Sequence, residues 1–199
     1  MSAIASVCLF CGANVGARAD YVSAARELGS MLAQERIALV YGGGSVGLMN
    51  VAADATLASG GAVIGVITRE LMDREVGHAG LTKLHVVETM HERKALMANL
   101  ADAFIALPGG YGTFDEMCEM LTWNQLGIHA KPVVLVNVDG FFDGFLAQLE
   151  RAVDDRLLTP VNRAMLCVAS DVAGAFVAMR DWRAPPAGPK WFRDPVPQP

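Results

Sequence analysis

A single doubly wound α/β sheet of Rossmann type, mostly parallel and with helices on both faces, is the fold that this sequence predicts. Three observations predict it. Strand-like and helix-like segments alternate almost throughout. Most of the strand-like segments are continuous apolar runs, the pattern of parallel strands buried on both faces. Two glycine-rich turns, Gly42–Gly47 and Gly109–Gly112, each follow such a run and open a helix. In these sheets ligands bind beyond the carboxyl ends of the strands, where both turns fall.

Ser6–Phe10 (SVCLF) is the first expected strand, and Ala19–Gln34 the first helix. Ile37–Tyr41 is an apolar run that stops at Gly42, so it reads as the second strand, with a helix over Gly47–Ala58. Ala62–Ile67 and Lys83–Glu88 are the next strands. Between them, Arg69–Leu81 carries Glu70, Asp73, Arg74, Glu75 and His78 and reads as a polar loop or a short helix. His91–Ala101 is helical, Ala103–Leu107 is a strand that stops at Pro108, and Thr113–Gly127 is the next helix. Lys131–Asn137, Phe142–Asp155, Met165–Val168 and Asp171–Asp181 complete the alternation. From Pro185 onward, six of the nine prolines crowd into an expected extended tail, leaving residues 1–184 as one domain of Rossmann type.

With 53% hydrophobic and 19% charged residues, the chain can build a large core without disulfides. A net charge of −5 argues against a general nucleic-acid binder, which needs a basic face. No apolar run reaches transmembrane length, and the N-terminus lacks the pattern of a secretory signal. A soluble, cytoplasmic protein is expected. Cys8 and Cys11 form a C-x-x-C, but inside and at the end of a strand. Redox pairs open helices and zinc sites need a second pair, so both read as reduced core thiols.

Residues 108–116, PGGYGTFDE, carry the most chemistry. A glycine-rich turn between a strand and a helix N-terminus exposes backbone N–H groups that suit a phosphate. Glu116 sets a carboxylate one turn further on. The same residues also fit a capping box, with Thr113 as the cap and Glu116 folding back onto it. The excess of glycine, Gly109, Gly110 and Gly112, speaks for the anion cradle, since a cap needs one polar residue only.

In the second turn, Gly42, Gly44 and Gly47 satisfy the dinucleotide pattern G-x-G-x-x-G, yet they follow the second strand rather than the first. The acid expected after the next strand is only approximated by Glu70, and no Lys-Ser/Thr pair makes a Walker A loop. A turn that lets the helix pack closely on the sheet is the plainer account. In the third segment, Met90, Arg93, Met97, Leu100 and Phe104 share one helical face, so Arg93 lies in an apolar stripe. A buried guanidinium needs an anion, either a structural carboxylate or a ligand phosphate. The helix with Phe114, Met117, Cys118, Met120, Leu121, Trp123 and Leu126 is apolar nearly all round and suits either an internal helix or a homodimer interface. His78, His85, His91 and His129 have no metal-ligand spacing, and His129 reads as a surface loop residue. No G-x-S-x-G elbow is present.

Taken together the three segments resemble the LOG ("Lonely Guy") family of cytokinin-activating phosphoribohydrolases, long mislabelled as lysine decarboxylases. PGGxGTxxE is matched by Pro108–Glu116, GGGxxGLM by Gly42–Met49 and M-H-x-R-K by Met90–Lys94. Phe10-Cys11-Gly12 and Thr122-Trp123-x-x-Leu126-Gly127 fit as well, so the resemblance spans roughly residues 5 to 180. It implies cleavage of the N-glycosidic bond of an N6-prenylated adenosine 5′-monophosphate, or of AMP, to free base and ribose 5-phosphate. It implies Arg93 and Glu116 as the catalytic pair. Glu75, Lys94, Gly110, Tyr111, Gly112, Thr113 and Thr122, with Gly43 and Gly44 of the second segment, complete the implied substrate site. Neither metal nor organic cofactor is implied, and the expected assembly is a homodimer. Asn50 stands where the family commonly has Gly, Ala13-Asn14 where it has small hydroxyl residues, and Phe114-Asp115 where it has Leu-Glu.

Physically, breaking a ribosyl–base bond puts positive charge on the sugar and negative charge on the leaving base. A fixed carboxylate such as Glu116 stabilises the first or activates a water, and Arg93 is available for a phosphate or for developing negative charge. Other readings on this scaffold are a non-catalytic nucleotide carrier and a dinucleotide oxidoreductase. A pyridoxal enzyme fits least, since none of Lys83, Lys94, Lys131 and Lys190 has a supporting constellation.

Overall fold

The computed structural model describes residues 4–74 and 77–185. Its elements run β1 (Ser6–Phe10), α1 (Ala19–Gln34), β2 (Ala38–Tyr41), α2 (Gly47–Ala58), β3 (Val63–Thr68), α3 (Arg69–Arg74), β4 (Lys83–Val87) and α4 (Met90–Leu100). Then follow β5 (Ala103–Ala106), α5 (Tyr111–Gln125), β6 (Val133–Val136), a 3-10 turn (Val138–Gly140), α6 (Asp143–Asp154), α7 (Pro160–Arg163), β7 (Leu166–Ala169) and α8 (Val172–Asp181). All the expected strands and long helices are present. The polar connection after β3 starts as the short helix α3. The proline-rich tail beyond Pro185, and Glu75, lie outside the described residues.

The strands form one seven-stranded sheet in the order β4-β3-β2-β1-β5-β6-β7. Every strand pairing is parallel, so the sheet is more uniform than the mostly parallel one expected. Continuous apolar runs produce this because both faces are covered. One core layer packs α1, α2 and α8 against the sheet, with Leu28, Leu32, Leu48, Ala52 and Phe176 at its centre. The other packs α4, α5 and α6, with Met97, Phe104, Met117, Met120 and Phe142. Among the described residues no helix is long and apolar enough to cross a membrane. All four cysteines are free thiols, and Cys8 and Cys11 are buried.

His129 departs from expectation. It is half-buried rather than on the surface, its ring 5.4 Å from that of Phe104 and 6.5 Å from that of Trp123. A loop that returns the chain to a central strand must run over the end of the apolar layer, and the imidazole closes that end.

Candidate active site

β1 and β5 lie side by side, but the chain leaves them toward opposite ends of the sheet. Such a switch point opens a crevice at the carboxyl ends of the strands. A cavity of about 450 Å³ sits there. It is lined by the β1–α1 loop (Cys11–Gly16), by Leu48 and Met49 of α2, by Met90 and Arg93 of α4, and by Pro108–Thr113 with Glu116. Backbone hydrogen bonds tie the surrounding loops together. Gly12 N donates to Pro108 O at 3.0 Å, and Leu48 N donates to Gly12 O at 3.0 Å. The second tie needs Gly47, whose φ is +65° and where a Cβ would run into the Ala13 carbonyl.

One wall of the cavity is the start of α5. The helix begins at Tyr111, two residues earlier than expected, with Gly110 as its cap and no side chain bonded to the cap position. The first-turn N–H groups have no partner within the helix, and the helix dipole adds partial positive charge there. The Thr113 hydroxyl is buried and has no hydrogen-bond partner among the described residues. Gly109 must be glycine, because a Cβ would collide with that hydroxyl and with Gly12 N. Gly110 and Gly112 differ, for a Cβ at either would meet nothing within 4 Å. The fold leaves room for side chains there and the sequence supplies none. Both line the cavity, so the backbone there is open to anything that enters it.

Arg93 and Glu116 face each other across the adjoining floor. α4 is fixed at its start by a capping box, with Glu92 N donating to Thr89 Oγ1 and Thr89 N donating to Glu92 Oε2, both at 3.1 Å. This cap aims Arg93, whose exposure is only 6%. Its Nε donates to Val66 O at 3.0 Å and its Nη1 to Glu116 Oε1 at 2.8 Å. The guanidinium lies so close over Gly42 that a Cβ there would overlap Nη2. Burial pushes the Glu116 carboxyl above the ordinary glutamate range, and Asp115 adds to this. Arg93 and Lys94 pull the other way. The capping-box account of Thr113 and Glu116 is thereby overturned. Thr113 is the third helical residue rather than the cap, and Glu116 turns to a guanidinium on another helix.

Arg93, Gly110, Tyr111, Gly112, Thr113 and Glu116 are thus brought together on one cavity. Lys94 is next to them in sequence but does not line it. It donates to Asp115 Oδ2 at 3.0 Å and pairs with Glu119 Oε2 at 3.1 Å. Thr122 lies six residues past Glu116, about 9 Å along the axis at ~1.5 Å per residue. It is exposed, and its hydroxyl donates to Cys118 O at 2.8 Å. Gly43 packs toward Ile67 and Leu84, and Gly44 bridges Gly77, so neither lines the cavity. Glu75 lies outside the described residues.

Sequence reasoning missed an apolar wall of Val15, Tyr21, Met49, Met90 and Phe141. The Tyr21 and Phe141 rings meet edge to face at 5.6 Å, and the Arg18–Asp139 ion pair ties the start of α1 to the 3-10 turn beside them. The switch-point rule could have singled out the β1–α1 loop. Nothing local marks Phe141. Nor is the Gly42–Gly47 turn a dinucleotide cradle here. Its Leu48 N–H is taken by Gly12, Arg93 covers Gly42, and Glu70 is paired with Arg74 at 2.8 Å.

Comparison with known proteins identifies the family. The family described as "Possible lysine decarboxylase" matches residues 49–179. The chain is 48% identical over 176 residues to the cytokinin riboside 5′-monophosphate phosphoribohydrolase of Rhodococcoides fascians, covering 88% of this chain and 89% of that protein. It is 48% identical over 163 residues to the Arabidopsis thaliana enzyme LOG7, covering 82% and 75%. Among solved structures, the Moco carrier protein of Chlamydomonas reinhardtii superposes with a TM-score of 0.67 at 23% identity, covering 88% of this chain and 94% of that one. At that identity the last match speaks for the fold alone.

Proposed function

The chain belongs to the LOG family of cytokinin riboside 5′-monophosphate phosphoribohydrolases, and from that premise we propose how its own residues carry the reaction. The enzyme hydrolyses the N-glycosidic bond of a cytokinin riboside 5′-monophosphate, giving the free base and ribose 5-phosphate. AMP is accepted as a poorer substrate. The 5′-phosphate docks on the first-turn N–H groups of α5 and the Thr113 hydroxyl, in the space left open at Gly110 and Gly112. Holding a non-reacting phosphate lets its binding energy position the sugar. The base and its apolar N6 substituent lie against Val15, Tyr21, Met49, Met90 and Phe141.

Glu116 acts on the sugar. As the C1′–N bond breaks, the electron pair leaves with the base and a water oxygen bonds to C1′; the proton that this water gives up passes by way of Glu116 and solvent to the base, which regenerates the carboxylate. An ionised carboxylate stabilises the positive sugar and receives a proton from that water. Arg93 aims Glu116 and favours its ionised form, opposing the larger upward pull of burial. The observation that carries this reading is the buried Arg93–Glu116 pair placed beside an uncapped helix N-terminus with an unpartnered hydroxyl.

A cytoplasmic site of action fits the four free thiols. A homodimer fits the C-terminal end of α5, where Leu126 at its cap, 49% exposed, and Ile128 just beyond it, 62% exposed, face outward. The test is incubation of the purified protein with AMP and with N6-isopentenyl-AMP, followed by chromatography for free base and ribose 5-phosphate. Release from both, faster with the isopentenyl compound, is expected. A protein that binds these nucleotides but releases no base would be a carrier instead.

A further inference from the structure

We propose that the Arg18–Asp139 ion pair is a specificity device. It sets the spacing of Tyr21 and Phe141 in the cavity wall, and with it the preference for a base that carries an apolar N6 substituent. The inference rests on the phosphoribohydrolase reading above, in which that substituent lies against these rings. Tyr21 is in the first turn of α1, three residues past Arg18, the residue at the cap of that helix. Phe141 directly follows the 3-10 turn Val138–Gly140, which contains Asp139. Each ring is therefore carried by the same short segment as one of the two charges.

Both charges are poor choices for their own places in the backbone. Arg18 is the N-cap residue of α1, yet its side chain makes no capping bond. Ser, Thr, Asp or Asn would supply one, and a positive charge at a helix N-terminus opposes the dipole. Asp139 has a φ of +50° and is followed by Gly140 at +69°. Gly or Asn would take that left-handed conformation at least as readily, without a charge. Local preference explains neither charge, and their meeting explains both.

The two rings are anchored separately. Phe141 stacks edge to face, at 4.8 Å, on the fully buried Phe142, whose N–H donates to Asn137 Oδ1 at 2.8 Å. Tyr21 packs beside Gly16, where a Cβ would come within 3.0 Å of its ring. Among the described residues no backbone hydrogen bond joins the start of α1 to the 3-10 turn, so the ion pair is their polar tie. The contact between the rings themselves is tolerant, since aromatic pairs are favourable at any centroid distance from about 4.5 to 7 Å. A charge contact that falls off with distance narrows that range. AMP has no N6 substituent to meet the rings, so the tie acts on the prenylated substrate alone. The Arg18 and Asp139 side chains are 59% and 48% exposed, which makes the pair a small contributor to stability and leaves it open to screening by salt.

The test sets N6-isopentenyl-AMP and AMP in competition for one enzyme. Both carry the same phosphate, so the ratio of their kcat/KM values cancels any effect on phosphate binding. The variants are Arg18→Gln, Asp139→Asn, the neutral double variant Arg18→Gln/Asp139→Asn, and the exchanged pair Arg18→Asp/Asp139→Arg. Arginine accepts the backbone conformation of Asp139, for Arg36 and Arg156 of this chain have φ of 58° and 61°. Each single variant should lower the ratio about two- to fivefold, the scale of one exposed ion pair. The loss should lie in the isopentenyl compound, with AMP turnover and the melting temperature near the wild-type values. The neutral double variant should lose no more than either single one, and the exchanged pair should restore the ratio. Raising salt from about 0.05 M to about 1 M should bring the wild-type ratio down toward that of the variants and leave theirs unmoved. A ratio unchanged in both single variants, losses that add in the double variant, or losses shared equally by AMP would each overturn the proposal. If the wild type itself releases no base, the reaction assignment fails instead, and the ratio of the Kd values of the two nucleotides in the same variants still decides what the ion pair does.

Discussion

Single residues explain why the opening motif is written as it is. Gly109 is demanded by the fold, because the Thr113 hydroxyl and Gly12 N occupy the place of a Cβ. Gly112 is not, and its place on the cavity wall is why it is proposed to face the ligand. Gly112→Ala should therefore keep or slightly raise the melting temperature, since Ala is better than Gly inside a helix by about 1 kcal/mol. The same change should weaken AMP binding by roughly tenfold, about 1.4 kcal/mol. Thermal melts and calorimetric titration of one preparation measure both, and a variant that loses stability but binds AMP normally would contradict the assignment. At this scale the sequence was only half legible. Thr113-x-x-Glu116 satisfies a capping rule locally, and only the actual helix start at Tyr111, with Gly110 as the cap, removes it. Thr89-x-x-Glu92 satisfies the same rule, is a real cap, and was readable without any structure.

Elements were legible where burial wrote a continuous or periodic apolar pattern into them. Buried parallel strands and helices of ten residues or more carry enough apolar pattern to be seen. α7, with four residues, and the 3-10 turn at Val138–Gly140, with three, do not, and the turn delivers Phe141 to the site. The α5–β6 connection shows how a loop can be tertiary structure. His129 accepts a hydrogen bond from Lys131 N at 3.2 Å while its ring packs against Phe104 and Trp123. Burial, helped by the Lys131 charge, lowers its pKa from 6.5 to about 4. The folded state thus holds a neutral imidazole where the unfolded chain binds a proton. Stability is therefore lost as pH falls from about 6.5 toward 4, and this loss levels off below that. In urea denaturation across that window, His129→Asn should show a shallower fall of the midpoint than the wild type. Equal slopes would mean that the acid sensitivity comes from other groups.

At the scale of the molecule, topology assembles the site. The order β4-β3-β2-β1-β5-β6-β7 puts the switch point between β1 and β5. Segments nearly a hundred residues apart meet there, with Gly12 bonded to Pro108. The fold class followed from alternation alone. The pairing of Arg93 with Glu116 did not, because it depends on how α4 and α5 lie against the same face of the sheet. Sequence reasoning had left the partner of Arg93 open between a carboxylate and a phosphate. The carboxylate is Glu116 itself, so the structural pair and the pair proposed as catalytic are the same two residues.

That coincidence is the central claim, and Glu116→Gln tests it most directly when turnover of N6-isopentenyl-AMP and the Kd for AMP are measured side by side. The phosphate cradle proposed on α5 is untouched by the change, so the Kd should stay within about threefold, while kcat should fall by about a thousandfold or more. Turnover near the wild-type rate would contradict the role given to Glu116 and return the buried pair to a purely structural one.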